Sequence, residues 1–189
     1  YNKQEERIPF DLEYFNTITK GGVPNKTLNI ALAGTGVGKS LFMCHVASSA
    51  LTDGKNVLYI TMEMAEERIA ERIDANLLNV PIDQLESMPK TMFTEKVKQL
   101  STKTTGQLII KEYAPGQATI NTIRGHIQKC SDLEFTPDLI IIDYVDLLSS
   151  KKRVQDRKGE IDDIYVSTKG LAKELQLPIW SVSQVNRAG

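Results

Sequence analysis

The stretch Ala33-Gly34-Thr35-Gly36-Val37-Gly38-Lys39-Ser40 decides how this chain is read. It follows an apolar run, Thr27-Leu28-Asn29-Ile30-Ala31-Leu32-Ala33, that reads as a buried strand. It leads into Ser40-Leu41-Phe42-Met43-Cys44-His45-Val46-Ala47, where apolar residues recur at helical spacing. Strand, glycine-rich loop and helix in that order make a phosphate cradle. Gly34, Gly36 and Gly38 admit backbone conformations closed to other residues, so successive N–H groups, those of Thr35 and Val37 included, can point at phosphate oxygens beside the positive end of the helix. Lys39 can reach the β/γ-phosphates of a nucleotide, and the Ser40 hydroxyl can ligate Mg²⁺. The general pattern is G-x-x-x-x-G-K-[ST], and Ala33 stands where its first glycine would be. The strand and helix on either side carry the reading across that departure.

Working outward, Asp53-Gly54-Lys55 marks a turn and Asn56 to Met62 reads as a second buried strand. From Ala65 to Leu78, Ile69, Ile73 and Leu77 recur at a spacing of four among charged residues, as in an amphipathic helix. A proline-containing linker precedes a smaller helical stretch from about Met92 to Leu100. Leu108 to Tyr113 is a third strand, followed by a Pro115-Gly116 turn and a helix near Thr119 to Cys130. Asp138-Leu139-Ile140-Ile141-Ile142-Asp143 is a fourth strand; Ser149 to Gly159 is polar and basic; Glu160 to Leu175 is helical. Pro178 to Ser183 is a fifth strand ending at Gln184. This alternation predicts an α/β fold with a mainly parallel sheet flanked by helices on both faces. Upstream, residues 1–7 read as a charged linker, and Ile8 to Ile18 as a lead-in with an apolar stripe that packs on the core and ends in turn-forming Gly21-Gly22.

A chain of 189 residues suits one domain with a substantial core. Its 41% hydrophobic and 25% charged residues are ordinary for a globular protein. The net charge of −1 means that any nucleic-acid contact must come from local basic loops. Cys44 and Cys130 lack metal-ligand spacing and read as buried, reduced thiols, while His45 and His126 are isolated and read as structural. Thiols of that kind fit a cytoplasmic protein. No apolar run approaches the ~20 residues that span a bilayer, and the polar start is not a signal peptide, so no membrane partner is expected.

Ligands of open α/β sheets bind beyond the carboxyl ends of the strands, which singles out Glu63, Asp143 and Gln184. Asp143 closes an apolar strand in the manner of a Walker B acid, and its carboxylate can hold Mg²⁺ beside Ser40, usually through the ion's water. The other reading of such an acid is a loop cap. Glu63 can position or polarise a water that attacks the γ-phosphate, or can simply favour a helix N-terminus. Gln184 can hydrogen-bond the γ-phosphate or its water.

These motifs in this order, with Tyr59-Ile60-Thr61-Met62-Glu63-Met64, Ile141-Ile142-Asp143-Tyr144 and Ser183-Gln184-Val185-Asn186-Arg187, resemble the RecA-like P-loop NTPase motor domain of DnaB-type replicative helicases. Asn56 to Glu67 and Arg72 to Leu78 are especially similar to the T-even-type bacteriophage branch of that family. The resemblance covers about Ile8 to Arg187, and an ordered set of motifs is far more specific than one loop.

The resemblance implies that Lys39 and Ser40 hold the phosphates of ATP and Mg²⁺, Glu63 is the catalytic glutamate, Asp143 is the Walker B acid and Gln184 is the sensor that couples hydrolysis to DNA. It further implies a homo-oligomeric ring, a hexamer with ATP between subunits, that moves 5′ to 3′ along single-stranded DNA in a bacterial cell, with a primase and a helicase loader as candidate partners. The domain at 8–189 would then be incomplete at its C-terminus, with the last strands and the trans-acting arginine finger beyond Gly189. Asp146 departs from the family, where many relatives carry Gln.

Lys151, Lys152, Arg153, Arg157 and Lys158, with Arg187 in the next loop, would grip DNA phosphates from the channel of such a ring. Residues 151–158 read equally well as a solvated loop. Base stacking is not indicated, since aromatic residues do not interleave with these cations. A RecA-like recombinase or repair ATPase, and a nucleotide-gated ring scaffold, share the core motifs and stay open at this point. A small-molecule kinase ranks below them, because an Arg-rich lid and acceptor pocket are not evident.

Overall fold

In the computed structural model, which describes residues 6–34, 36, 38–102, 106–150 and 156–184, the chain enters through a two-residue strand, β1 (Arg7–Ile8), paired antiparallel with β2 (Val23–Pro24). The short helix α1 (Glu13–Thr19) lies between them. Arg7 is therefore part of the fold rather than of a linker, and its guanidinium donates to the Thr19 carbonyl at 2.7 Å. The lead-in packs only in part: Ile8 is buried and the Phe10 ring stands edge-on to Trp180, but α1 buries no residue and leaves Tyr14 and Ile18 exposed.

The core strands are β3 (Leu28–Ala33), β4 (Val57–Thr61), β5 (Leu108–Glu112), β6 (Leu139–Asp143) and β7 (Ile179–Gln184). They pair in the order β3-β7-β6-β4-β5, and every pairing is parallel. Intervening helices explain this, because a parallel neighbour needs a crossover long enough to return the chain to the same end of the sheet. The crossovers are α2 (Lys39–Thr52), α3 (Glu66–Leu78), α4 (Ile82–Ser87), α5 (Lys90–Ser101), α6 (Ile120–Asp132) and α7 (Arg157–Leu175). Helix α4 falls where the sequence suggests a linker. Pro81 and Met88 bracket it in extended conformation, and it buries none of its residues, so it has no apolar stripe to announce it.

The two faces of the sheet are two cores. Leu58, Ile60, Ile140, Ile142 and Ile179 pack with Ile123 and Ile127 of α6 and with Ile164 and Leu171 of α7. Val57, Tyr59, Leu139, Ile141 and Val182 pack with Met43, Cys44 and Ala47 of α2 and with Ile69 and Ile73 of α3. Alternation along each strand thus feeds both faces, as a doubly covered parallel sheet requires. Every residue of β4 and β6 is buried, whereas β5 at the edge is only half-buried. At roughly 1.5–3 kcal/mol for each fully buried large apolar side chain, these central strands hold the frame in place. The Arg124–Glu174 pair that links α6 to α7 through two hydrogen bonds is exposed and adds at most about 1 kcal/mol.

Candidate active site

Because all five core strands run the same way, their carboxyl ends meet at one edge of the sheet. Ala33 stands opposite Gln184, and Thr61 opposite Asp143. The glycine-rich loop leaves β3 there and enters α2 through Gly38, whose φ of +85° is left-handed; Gly36 has a φ of +70°. A Cβ added at Gly34 or Gly36 would meet nothing within 4 Å, so the loop borders open space. No side chain caps the N-terminus of α2, which leaves its first N–H groups for a ligand. Thr35 and Val37 lie outside the described residues.

Lys39 is half-buried, and its ammonium sits 5.7 Å from the centroid of the Tyr144 ring, a cation–π distance. Asp143 is 1% exposed, and its Oδ2 accepts from the Tyr59 hydroxyl at 2.9 Å while Oδ1 has no hydrogen-bond partner. Burial pushes the Asp143 carboxyl above its ordinary range; the Ser40 and Tyr59 hydroxyls pull the other way, the Glu63 charge adds to the rise and Lys39 opposes it. A buried carboxylate oxygen without a donor fits a divalent cation or one of its waters. Among the described residues no three His, Cys, Asp or Glu side chains cluster as a protein-built metal centre. The donor set of one carboxylate and one hydroxyl beside a phosphate cradle suits Mg²⁺, which keeps several waters and takes its other ligands from phosphate.

Glu63 lies two residues beyond β4 and is exposed. Thr61 closes the turn that presents it, donating to the Met64 carbonyl at 2.7 Å and accepting from the Met64 amide at 3.2 Å. Gln184 ends β7, half-buried. Asp146 lies just beyond β6 and its Oδ2 accepts from Ser183 of β7 at 2.9 Å, while Ser181 of β7 ties the turn by donating to the Ile142 carbonyl and accepting from the Val145 amide. Burial, chiefly, pushes the Tyr165 hydroxyl up to about 12, with Ser183 and Asp146 as its neighbours.

Of the basic residues expected to grip DNA, Lys151, Lys152, Arg153 and Arg187 lie outside the described residues. Arg157 and Lys158 belong to the first turn of α7, which starts three residues earlier than its sequence pattern suggests because Asp156 caps it, accepting from the Gly159 amide at 2.6 Å. Arg157 is turned onto the protein, donating to Glu160 at 2.8 Å and to the Asp146 carbonyl at 2.7 Å; Lys158 is exposed. His45 bridges Asp11, 2.7 Å away, and Asn76, and both cysteines are buried free thiols. No described helix is long and apolar enough to cross a membrane.

Sequence reasoning passed over Tyr59. The signal was present: a hydroxyl inside Val57-Leu58-Tyr59-Ile60-Thr61, a strand with no solvent face, has to find a buried partner.

A glycine-rich loop between a parallel strand and a helix, with a buried acid two strands away, defines a RecA-like P-loop nucleotide-binding domain. The chain belongs to the DnaB-like helicase C-terminal domain family, whose model matches residues 8–189. It is 38% identical over 194 residues to the DnaB-like replicative helicase of Enterobacteria phage T4, covering 99% of this chain and 41% of that protein. It is 28% identical over 169 residues to the replicative DNA helicase DnaB of Helicobacter pylori, covering 88% of this chain and 34% of the relative. The chain therefore spans well under half the length of these relatives. A solved structure of a DnaB-like replicative helicase, described with its interactions with primase, shares the fold at a TM-score of 0.79 and 18% identity, covering 98% of this chain and 45% of that one. A second solved structure, described as an ATPase domain, shares it at a TM-score of 0.77 and 17% identity, covering 96% of this chain and 65% of that one.

Proposed function

We propose that residues 8–189 belong to an ATP-driven motor domain of a replicative DNA helicase, which hydrolyses ATP to move along single-stranded DNA and open duplex at a replication fork. The observation that supports this most is the orphaned, buried Asp143 Oδ1 at the same sheet edge as the glycine-rich loop. In this reading the loop from Gly34 to Gly38, with Thr35 and Val37, cradles the phosphates of ATP, and Lys39 leaves the Tyr144 ring to neutralise them. Ser40 and Asp143 would hold Mg²⁺, which supplies charge neutralisation on the β- and γ-phosphates. Glu63, in solvent, orients the attacking water and takes its proton, while Gln184 carries the state of the γ-phosphate into the loop beyond β7. Lys151, Lys152, Arg153, Arg157, Lys158 and Arg187 contact DNA phosphates without reading sequence, Arg157 by leaving its present partners Glu160 and the Asp146 carbonyl.

A homo-hexameric ring in the bacterial cytoplasm, 5′-to-3′ movement, an arginine supplied by the neighbouring subunit, and a primase and a loader as partners complete the proposal. ATP turnover by the full-length protein with and without single-stranded DNA, followed by unwinding of a forked duplex, tests it. Strong stimulation by DNA together with unwinding is expected. Turnover indifferent to DNA, or filament formation with strand exchange, would overturn it.

A further inference from the structure

The register of the sheet makes Tyr59 and Asp143 neighbours. Tyr59 stands opposite Ile141 and Thr61 opposite Asp143, so Tyr59 and Asp143 are diagonal partners on the face covered by α2. A tyrosine is long enough to span that diagonal, and its hydroxyl donates to Oδ2 at 2.9 Å. Tyr59 is fully buried, so its hydroxyl has no water to turn to and depends on the Asp143 carboxylate as its acceptor. Cys44 of α2 lies in the same buried cluster as Tyr59, and burial pushes its thiol up to about 11. Ser40 and Cys44 are four residues apart on α2 and so share one face of that helix. The face of α2 that carries the Ser40 hydroxyl thus also faces the cluster in which Tyr59 is packed.

We propose that Tyr59 is a positioning residue for the metal-holding acid: by occupying Asp143 Oδ2 from within the packed face under α2, it fixes the carboxylate so that Oδ1 alone is left for the divalent cation. This rests on the reading of Ser40 and Asp143 as the cation site. The energetic reason is geometric. A buried carboxylate with two equivalent oxygens and no fixed donor can rotate between several arrangements, and each adds an entropic cost to binding an ion in one of them. A neutral hydroxyl donor removes that freedom without competing as a cation, as partners of metal ligands do in general.

The test is Tyr59→Phe in the full-length protein, alone and in an Asp143→Ala background, with Mn²⁺ binding to the ADP complex followed by electron paramagnetic resonance. ADP affinity in EDTA and the thermal midpoint are measured in parallel. Tyr59→Phe is expected to weaken Mn²⁺ by about tenfold, the lower end of the range for groups that orient metal ligands, with metal-free ADP affinity unchanged. In the Asp143→Ala background the same substitution should change nothing, since the two residues act as one unit. Unaltered Mn²⁺ affinity in Tyr59→Phe, or an equal loss of metal-free ADP binding, or a further loss in the Asp143→Ala background, would each overturn the assignment. Failure of the nucleotide-site reading itself would look different: the unsubstituted protein would show no ADP-dependent Mn²⁺ binding, and the assignment would fall with it.

Discussion

β4 and β6 are adjacent strands that end side by side, and each delivers a carboxylate to the same edge of the sheet, yet the two acids live in opposite surroundings. Asp143 is the last residue of β6, shut away from water, with one oxygen on Tyr59 and the other without a partner. Glu63 stands two residues past β4 on a turn held by Thr61, in solvent. A buried carboxylate that cannot move suits a fixed cation; an exposed one that can exchange protons with water suits proton transfer. In the proposed reading, environment rather than residue type divides the labour between two acids at one edge.

The sharpest way to break this contrast is to remove each acid in turn. Asp143→Ala should weaken Mg²⁺-dependent binding of a fluorescent ATP analogue by about 100-fold or more, at or beyond the upper end of what loss of an orienting partner costs, whereas Glu63→Ala should leave it unchanged. Equal losses from both would erase the distinction. The support of the buried acid comes next: Ile141→Ala, which empties the α2 side of β6 beside Tyr59, should cost about 2–5 kcal/mol in urea denaturation. A comparable truncation of exposed Val166 on α7 should stay within about 0.5 kcal/mol. The smallest effect has an opposite sign. Burial disfavours the Asp143 charge, so Asp143→Asn should raise the stability of the nucleotide-free protein at neutral pH by about 0.5–2 kcal/mol, as substitutions that relieve a functional strain commonly do. Glu63→Gln, by contrast, should leave the thermal midpoint where it is.

Much of this site is legible from sequence because its parts are local. A glycine-rich loop between an apolar run and a helical pattern, or an acid closing Leu139-Ile140-Ile141-Ile142, is read within ten residues and needs no knowledge of neighbours. Strand identity follows for the same reason, since β4 and β6 are continuous apolar runs bounded by turns. The Tyr59–Asp143 bond joins residues 84 apart, and only the strand order and register bring them together; neither is written in periodicity. Short elements escape too. The β1–β2 pair offers two residues a strand, and α4 is six residues with no buried face, so the alternation that sequence reading depends on never develops. The start of α7 is hidden differently. Asp156 with Gly159 and Glu160 is a capping pattern, but it sits in a run of cations that reads as loop.

One measurement bears most directly on the division between the two acids: steady-state ATP turnover by Glu63→Gln in the presence of single-stranded DNA, set beside its equilibrium affinity for Mg²⁺-ATP. Turnover should fall by about 10²–10⁴-fold, the usual contribution of a positioned acid–base group, while affinity stays at the level of the unsubstituted protein. Turnover close to that of the unsubstituted protein, or a loss of binding in step with turnover, would contradict the account.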